Sequence, residues 1–103
     1  MLLNVIEKNY TIMDNAVLMD KNLGLSAKAI MYALSSLPKD WSFSIKGLET
    51  ITGGSSYAIR SALKELIDEG YLKIVRTRNN GRYAKSKVYL RQNKNDEFTE
   101  VFC

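Results

Sequence analysis

Residues 53–90 read GGSSYAIRSALKELIDEGYLKIVRTRNNGRYAKSKVYL, a helix-forming stretch that runs straight into two strand-forming ones. Ser55 or Ser56 has the chemistry of an N-cap, since a hydroxyl accepts from a free N–H in the first helical turn. The helix is expected to run to about Glu69 and to stop at Gly70, which can take the left-handed C′ conformation. Ile59, Ala62, Leu63, Leu66 and Ile67 make its buried stripe, while Tyr57, Arg60, Ser61 and Lys64 follow i, i+3, i+4, i+7 on another face. Two strands, Tyr71–Thr77 and about Tyr83–Leu90, flank the turn residues Asn79-Asn80-Gly81. A two-residue turn would set Ile74 opposite Lys87 and mix polarity on both faces. A three-residue loop, or an equivalent bulge, sets Leu72 opposite Val88 and Ile74 opposite Ser86. That register is expected because it gathers Leu72, Ile74 and Val88 inward. It also sets Lys73 opposite Lys87, a like-charge pair that costs stability.

Upstream, Ser26 is the expected N-cap of a helix over Ala27–Ser36, with Leu25 and Ile30 at the spacing of a hydrophobic staple. Ala27, Ile30, Met31, Leu34 and Leu37 form one apolar stripe, and Pro38 ends the helix by pushing its predecessor out of the helical region. Trp41-Ser42-Phe43 reads as extended. Ser44 caps a short helix to about Ile51, with Ile45 and Leu48 inward and Phe43 and Leu48 as its staple. Gly53-Gly54 then breaks the chain for a tight turn. Nearer the N-terminus, Tyr10–Met13 reads as a short strand and Asn15–Met19 as a turn of helix. Leu2, Leu3, Val5 and Ile6 are apolar without firm periodicity. Trp41 and Phe43 suit corner packing, Tyr83 and Tyr89 cross-strand contacts, and Met13, Met19 and Met31 core filling. Beyond Leu90 the chain turns polar and charge-mixed, so residues 91–103 are expected to fray or to link.

Residues 1–90 are thus expected to form one α+β domain: three main helices followed by a C-terminal two-stranded β-hairpin. The short connection between the second and third helices has the spacing of a helix-turn-helix, with the hairpin as its wing. A length of 103 residues fits a single domain. The chain has no histidine, and Cys103 is its one cysteine. Those facts exclude a Cys/His zinc site, a Cys–His nucleophile and a histidine base within the chain. No acid pair or phosphate loop stands at a recognisable spacing, and no cofactor or catalytic set is expected. No apolar run approaches the ~18 residues of a membrane span. A cytoplasmic protein that is not an enzyme is the expectation.

The net charge of +4 says less than its distribution. Residues 1–50 balance five basic against five acidic side chains, so the excess lies entirely in the second half. From Tyr71 to Lys94 there are eight cations and no acid. A one-sign stretch repels itself unless an anion lies against it, which points to nucleic acid. In a helix-turn-helix the second helix enters the major groove N-terminus first. Ser55, Ser56 and Tyr57 would sit at that end, offering bonds to phosphate or a base edge. Arg60, Ser61 and Lys64 would follow, Arg60 with the fork for bidentate contact to guanine. Lys73, Arg76, Arg78, Arg82, Lys85 and Lys87 on the wing would meet phosphates or a minor groove. The bland alternative is a solvated basic face, and Glu65, Asp68 and Glu69 show that the helix is not uniformly basic.

The run YTIMDNAVLMDKNLGLSAKAIMYALSSLPKDWSFSIKGLETITGGSSYAIRSALKELIDEGYL resembles the winged-helix N-terminal domains of phage and plasmid replication initiators and replisome organisers of the DnaD type. LSAKAI, SLPKDWSFSIKGL, and AIRSALKELIDEGYL leading to a basic segment with GRY carry the resemblance. It implies sequence-specific binding of double-stranded DNA in replication initiation or transcriptional control, often as a dimer or larger assembly. Those initiators usually continue into a second domain, so a stand-alone regulator and one domain of a longer protein both remain open. The competing reading is a protein–protein module of a replication assembly, with Leu2, Leu3, Val5 and Ile6 as a dimer arm.

Overall fold

The computed structural model describes residues 10–38, 40–79 and 82–102, and of residues 77–79 and 82–85 it gives the backbone alone. The architecture is α+β. Among the described residues four helices, α1 (Asn15–Met19), α2 (Leu25–Ser36), α3 (Ile45–Thr52) and α4 (Ser56–Asp68), precede a three-stranded antiparallel sheet. Its strands β1 (Leu72–Asn79), β2 (Arg82–Leu90) and β3 (Thr99–Val101) lie in the order β1-β2-β3. Met31, Leu34, Leu48, Ile59, Leu66, Leu72 and Val88 are the largest fully buried side chains, so helices and sheet share one core.

Local chemistry accounts for most of the helix ends. Asp14 caps α1 by accepting from Ala16 N–H at 2.8 Å, Ser44 caps α3 from Gly47 N–H at 3.0 Å, and Ser55 caps α4 from Ala58 N–H at 3.1 Å. Gly53, at φ 75°, ends α3 in the left-handed region and lets α4 begin three residues later. Helix α2 departs from expectation. Its N-cap is Gly24, with no side-chain bond from the cap itself, and Ser26 lies inside the first turn. Glu65 of α4 accepts from Gly24 N–H at 2.8 Å, so a tertiary carboxylate replaces the local serine cap. A negative charge there also favours the positive end of the helix dipole. Leu25 is therefore a first-turn residue, 87% exposed, and makes no staple.

Helix α4 ends in a Schellman turn: Tyr71 N–H donates to Leu66 C=O at 2.9 Å and Gly70 N–H to Ile67 C=O at 3.1 Å. Gly70 takes φ 88°, as that turn requires. Ile67, expected in the buried stripe, is instead exposed, because the inward line runs through Ile59, Ala62, Leu63 and Leu66 and the chain reverses before another turn can cover it. Met19 is exposed too, since a helix as short as α1 turns only Val17 fully inward. Tyr10–Met13 forms no strand.

The hairpin register corrects the sequence expectation. Leu72 pairs with Leu90, Ile74 with Val88 and Arg76 with Ser86; beyond a register shift, Arg78 pairs with Tyr83 and Asn79 with Arg82. Between the Arg76–Ser86 and Arg78–Tyr83 pairs β2 carries one residue more than β1, which is a β-bulge. The register preserves the inward set Leu72, Ile74 and Val88 but moves the pairings from Leu72 to Arg76 two residues from the expected ones, and those beyond the bulge by one. Lys73 therefore faces Tyr89, and Lys87 faces Val75, so the expected directly opposed lysine pair becomes a diagonal one with weaker repulsion. The turn expected at Asn79-Asn80-Gly81 falls partly outside the described residues.

The segment expected to fray folds back instead. Val101, Glu100 and Thr99 pair with Val88, Tyr89 and Leu90, making β2 the central strand at this end of the sheet. Phe102 is buried, 6.2 Å from Phe43 in a stacked arrangement and 5.4 Å from Trp41 edge-on. It holds φ 58°, a left-handed conformation rare for a large side chain, which packing against those rings must offset. The Trp41 ring in turn lies only 2.7 Å from where a side chain at Gly47 would begin. Gln92 ties the same segment to the helices: its Oε1 accepts from Asp14 N–H at 2.6 Å, and its Nε2 donates to Ser35 Oγ at 3.2 Å.

Tyr71 joins the sheet to α1. Its hydroxyl donates to Asp20 Oδ2 at 2.6 Å, and the Asn22 N–H reaches Asp20 Oδ1 at 2.9 Å. The Tyr71 hydroxyl and the Asn22 amide hold the Asp20 carboxyl below its ordinary range, with Lys94 at 3.6 Å adding attraction. Burial, reinforced by the bond to Asp20, pushes the Tyr71 phenol up to about 12.

Two outcomes test this architecture. Phe102→Ala should lower unfolding free energy by roughly 3 kcal/mol in urea denaturation, the cost of emptying an aromatic site, whereas a frayed tail would show no loss. Tyr71 has a folded pKa above its unfolded value of about 10, so its contribution is complete below that pH and is lost as pH rises through about 12. Integrated over that window the loss is roughly 2–3 kcal/mol. Tyr71→Phe should cost about 1 kcal/mol at neutral pH and remove this share of the alkaline loss, measured by denaturation at matched pH.

Candidate functional site

Helix α4 brings the expected polar residues together on one exposed face. Tyr57 is 83% exposed, and Ser55, Arg60, Ser61 and Lys64 are exposed beside or beyond it. They are not equivalent. Ser55 uses its hydroxyl as the helix cap. Ser56 Oγ accepts from Arg60 Nε at 3.1 Å. Lys64 Nζ lies 2.9 Å from Asp68 Oδ2, an i, i+4 pair on the same helix. Among the described residues, no acid pairs with Arg60. This face therefore carries one uncompensated cation, with an aromatic ring and hydroxyls around it.

The cations after Gly70 do not form one continuous surface. In β1, alternation puts Arg76 on the sheet face that carries Leu72 and Ile74, the face packed against the helices. Lys73 and Lys87 belong to the opposite face. Burial falls along β1 from Leu72 through half-buried Ile74 to exposed Arg76, so the far part of the hairpin leaves the core. Arg76 and Lys87 are exposed. Arg78 and Arg82 hold register positions beyond the Arg76–Ser86 pair and Lys85 falls within the bulge; the side chains of all three lie outside the described residues.

Other cations in the run serve the fold, which sequence reading did not separate out. Arg91 Nε donates to Gly70 C=O at 2.6 Å, and its guanidinium lies 4.3 Å from the Phe98 ring centroid. Lys94 bridges Glu69 at 3.3 Å and Asp20 at 3.6 Å, and sits 5.4 Å from the centre of the Tyr71 ring. Lys73 lies between Tyr89 and Phe98, at 5.1 and 5.3 Å from their centroids. The signal for this was present in Phe98, Val101 and Phe102, apolar residues in a segment read as polar. Without knowing that the segment returns to the sheet, nothing assigned them partners.

Among the described residues, no cluster of three or more His, Cys, Asp or Glu side chains could hold a metal ion. No described helix is long and apolar enough to cross a membrane. No family model, curated protein or solved structure matches this chain.

The division between structural and free cations is measurable in the protein alone. Arg91→Ala should cost roughly 1–3 kcal/mol of unfolding free energy, because it strips a charged donor from the Gly70 carbonyl. Arg76→Ala and Lys87→Ala, on exposed positions, should each stay within about 0.5 kcal/mol of wild type.

Proposed function

We propose that this protein is a winged helix-turn-helix that binds double-stranded DNA, with α3 and α4 as the helix pair and the β1–β2 hairpin as the wing. The observation that carries the reading is the pairing of a solvent-facing α4 surface, bearing Tyr57, Arg60 and Ser61, with a hairpin whose described cations Arg76 and Lys87 are exposed. The α3–α4 turn through Gly53 and Gly54 supports it, since two helices joined by so short a link are the geometry that presents the second to a groove. Tyr57, Arg60 and Ser61 supply base-edge and phosphate contacts. Lys64 enters only by exchanging Asp68 for phosphate.

The wing meets phosphates from both of its faces, Arg76 on one and Lys87 on the other, with Arg78, Arg82 and Lys85 nearer the tip; such contacts fix register and carry no sequence information. Lys73, held between two rings, contributes its charge at longer range. The biological setting that suits such a protein is a phage, plasmid or integrated element, in replication initiation or in transcriptional control. The assembly reading drew on Leu2, Leu3, Val5 and Ile6, which lie outside the described residues.

With about six phosphate contacts, affinity for duplex DNA should fall roughly 10³- to 10⁵-fold between 50 and 200 mM salt. Replacing Arg76, Arg78 and Arg82 together with alanine should weaken binding evenly across sequences and flatten the log–log salt slope by about 2 to 3. Fluorescence anisotropy over a salt series reads both, and unchanged binding by the triple variant would overturn the proposal.

A further inference from the structure

Resting on the duplex-binding reading, we propose that Ser56 is a positioning residue that holds Arg60 end-on, so that Arg60 reads a single guanine through N7 and O6. The guanidinium has five N–H donors and no acceptor. The bond from Nε to Ser56 Oγ, at 3.1 Å, uses one of them and anchors the inner edge of the plane one helical turn back. The two terminal amino groups are left as a parallel pair of donors facing outward. Among the base pairs, only guanine shows two adjacent acceptors to the major groove; adenine offers one acceptor beside a donor.

The rest of the face sharpens the assignment. Lys64, the other cation on α4, is paired with Asp68 at 2.9 Å, so Arg60 is the cation of this helix surface without an acidic partner among the described residues. Ser55 is committed to the cap, which leaves Ser56 as the hydroxyl one turn before Arg60. A braced fork can take a phosphate or a base edge, since both accept two parallel bonds at once. Position favours the base: Arg60 lies on the exposed face of α4, the face that a helix-turn-helix turns towards base edges.

The test begins with a duplex selected from random sequence by the wild-type protein. Each guanine is then replaced in turn by 7-deazaguanine, which keeps O6 and the pairing edge but lacks N7. Wild type should show one guanine per bound subunit at which the replacement weakens binding roughly 5- to 100-fold. Ser56→Thr keeps the hydroxyl and should keep that penalty, while Ser56→Ala and Arg60→Ala should shrink it below about threefold. Thermal unfolding of each variant checks that the helix is intact, and Ser56→Val, which has the shape of threonine without its hydroxyl, repeats the comparison if alanine unfolds it.

A full penalty in Ser56→Ala overturns the positioning role. The absence of any sensitive guanine for wild type overturns guanine reading and leaves Arg60 a phosphate contact. Failure of the duplex-binding reading looks different: no sequence is then enriched by selection, and both proposals fall together.

Discussion

The reversal at Gly70 and Tyr71 is the constraint on which the remaining structure depends. Gly70 adopts φ 88°, and a side chain there would meet both an unfavourable backbone and Arg91 Nη2 at 3.1 Å. Its carbonyl receives Arg91 Nε, and the neighbouring Tyr71 C=O receives the Arg91 N–H at 3.0 Å. Tyr71 then sends its hydroxyl to Asp20 while its ring lies against Lys94. One short segment thus joins the end of α4, the first two strands, α1 and the returning tail. Where β1 starts, and which face it turns to the helices, follow from the direction in which the chain leaves this turn.

That turn also sorts the charge. Cations close to it are drawn into the fold, because buried carbonyls, ring faces and the Asp20 and Glu69 carboxylates lie within reach. Arg76 and Lys87, further along β1 and β2, are exposed, since the core ends near Ile74. Distance from Gly70 separates structural from available charge better than residue type does. Arg91 and Arg76 have the same side chain and opposite fates.

Much of α2, α3 and α4 was legible because each has a signal within its own sequence. Apolar spacing marked Ile30, Leu34, Ile59 and Leu66, and Ser44 and Ser55 capped where expected. The misses share a cause: a partner distant in sequence outcompeted the local one. Glu65 took over the capping of α2 from Ser26 across 41 residues. Phe102 found Trp41 and Phe43 from a tail whose composition looks like linker. The hairpin register failed differently. The buried face requires only that Leu72, Ile74 and Val88 point inward, and registers two residues apart meet that requirement equally well. Pairing Leu72 with Leu90 buries one more leucine and relieves the lysine pair, a preference visible only when every cross-strand neighbour is weighed. The polar face of α4 was readable as a face. The different commitments of Ser55, Ser56 and Lys64 within it were not, because they depend on rotamers that spacing does not specify.

A simpler account of the hairpin cations is edge protection. Beyond the three pairs made with β3, the hairpin is a two-stranded ribbon open on both sides, and charged residues keep such edges from pairing with other chains. Edge protection often uses lysine, but it does not require every charge to be positive. A mixture of lysine and glutamate would guard both strands equally well and would gain from cross-strand attraction, instead of accumulating like charge. Six cations without one acid from Lys73 to Lys87 carry a self-repulsion that edge protection does not require. A polyanion laid along the ribbon turns that repulsion into attraction, which accounts for the sign as well as the presence of the charge.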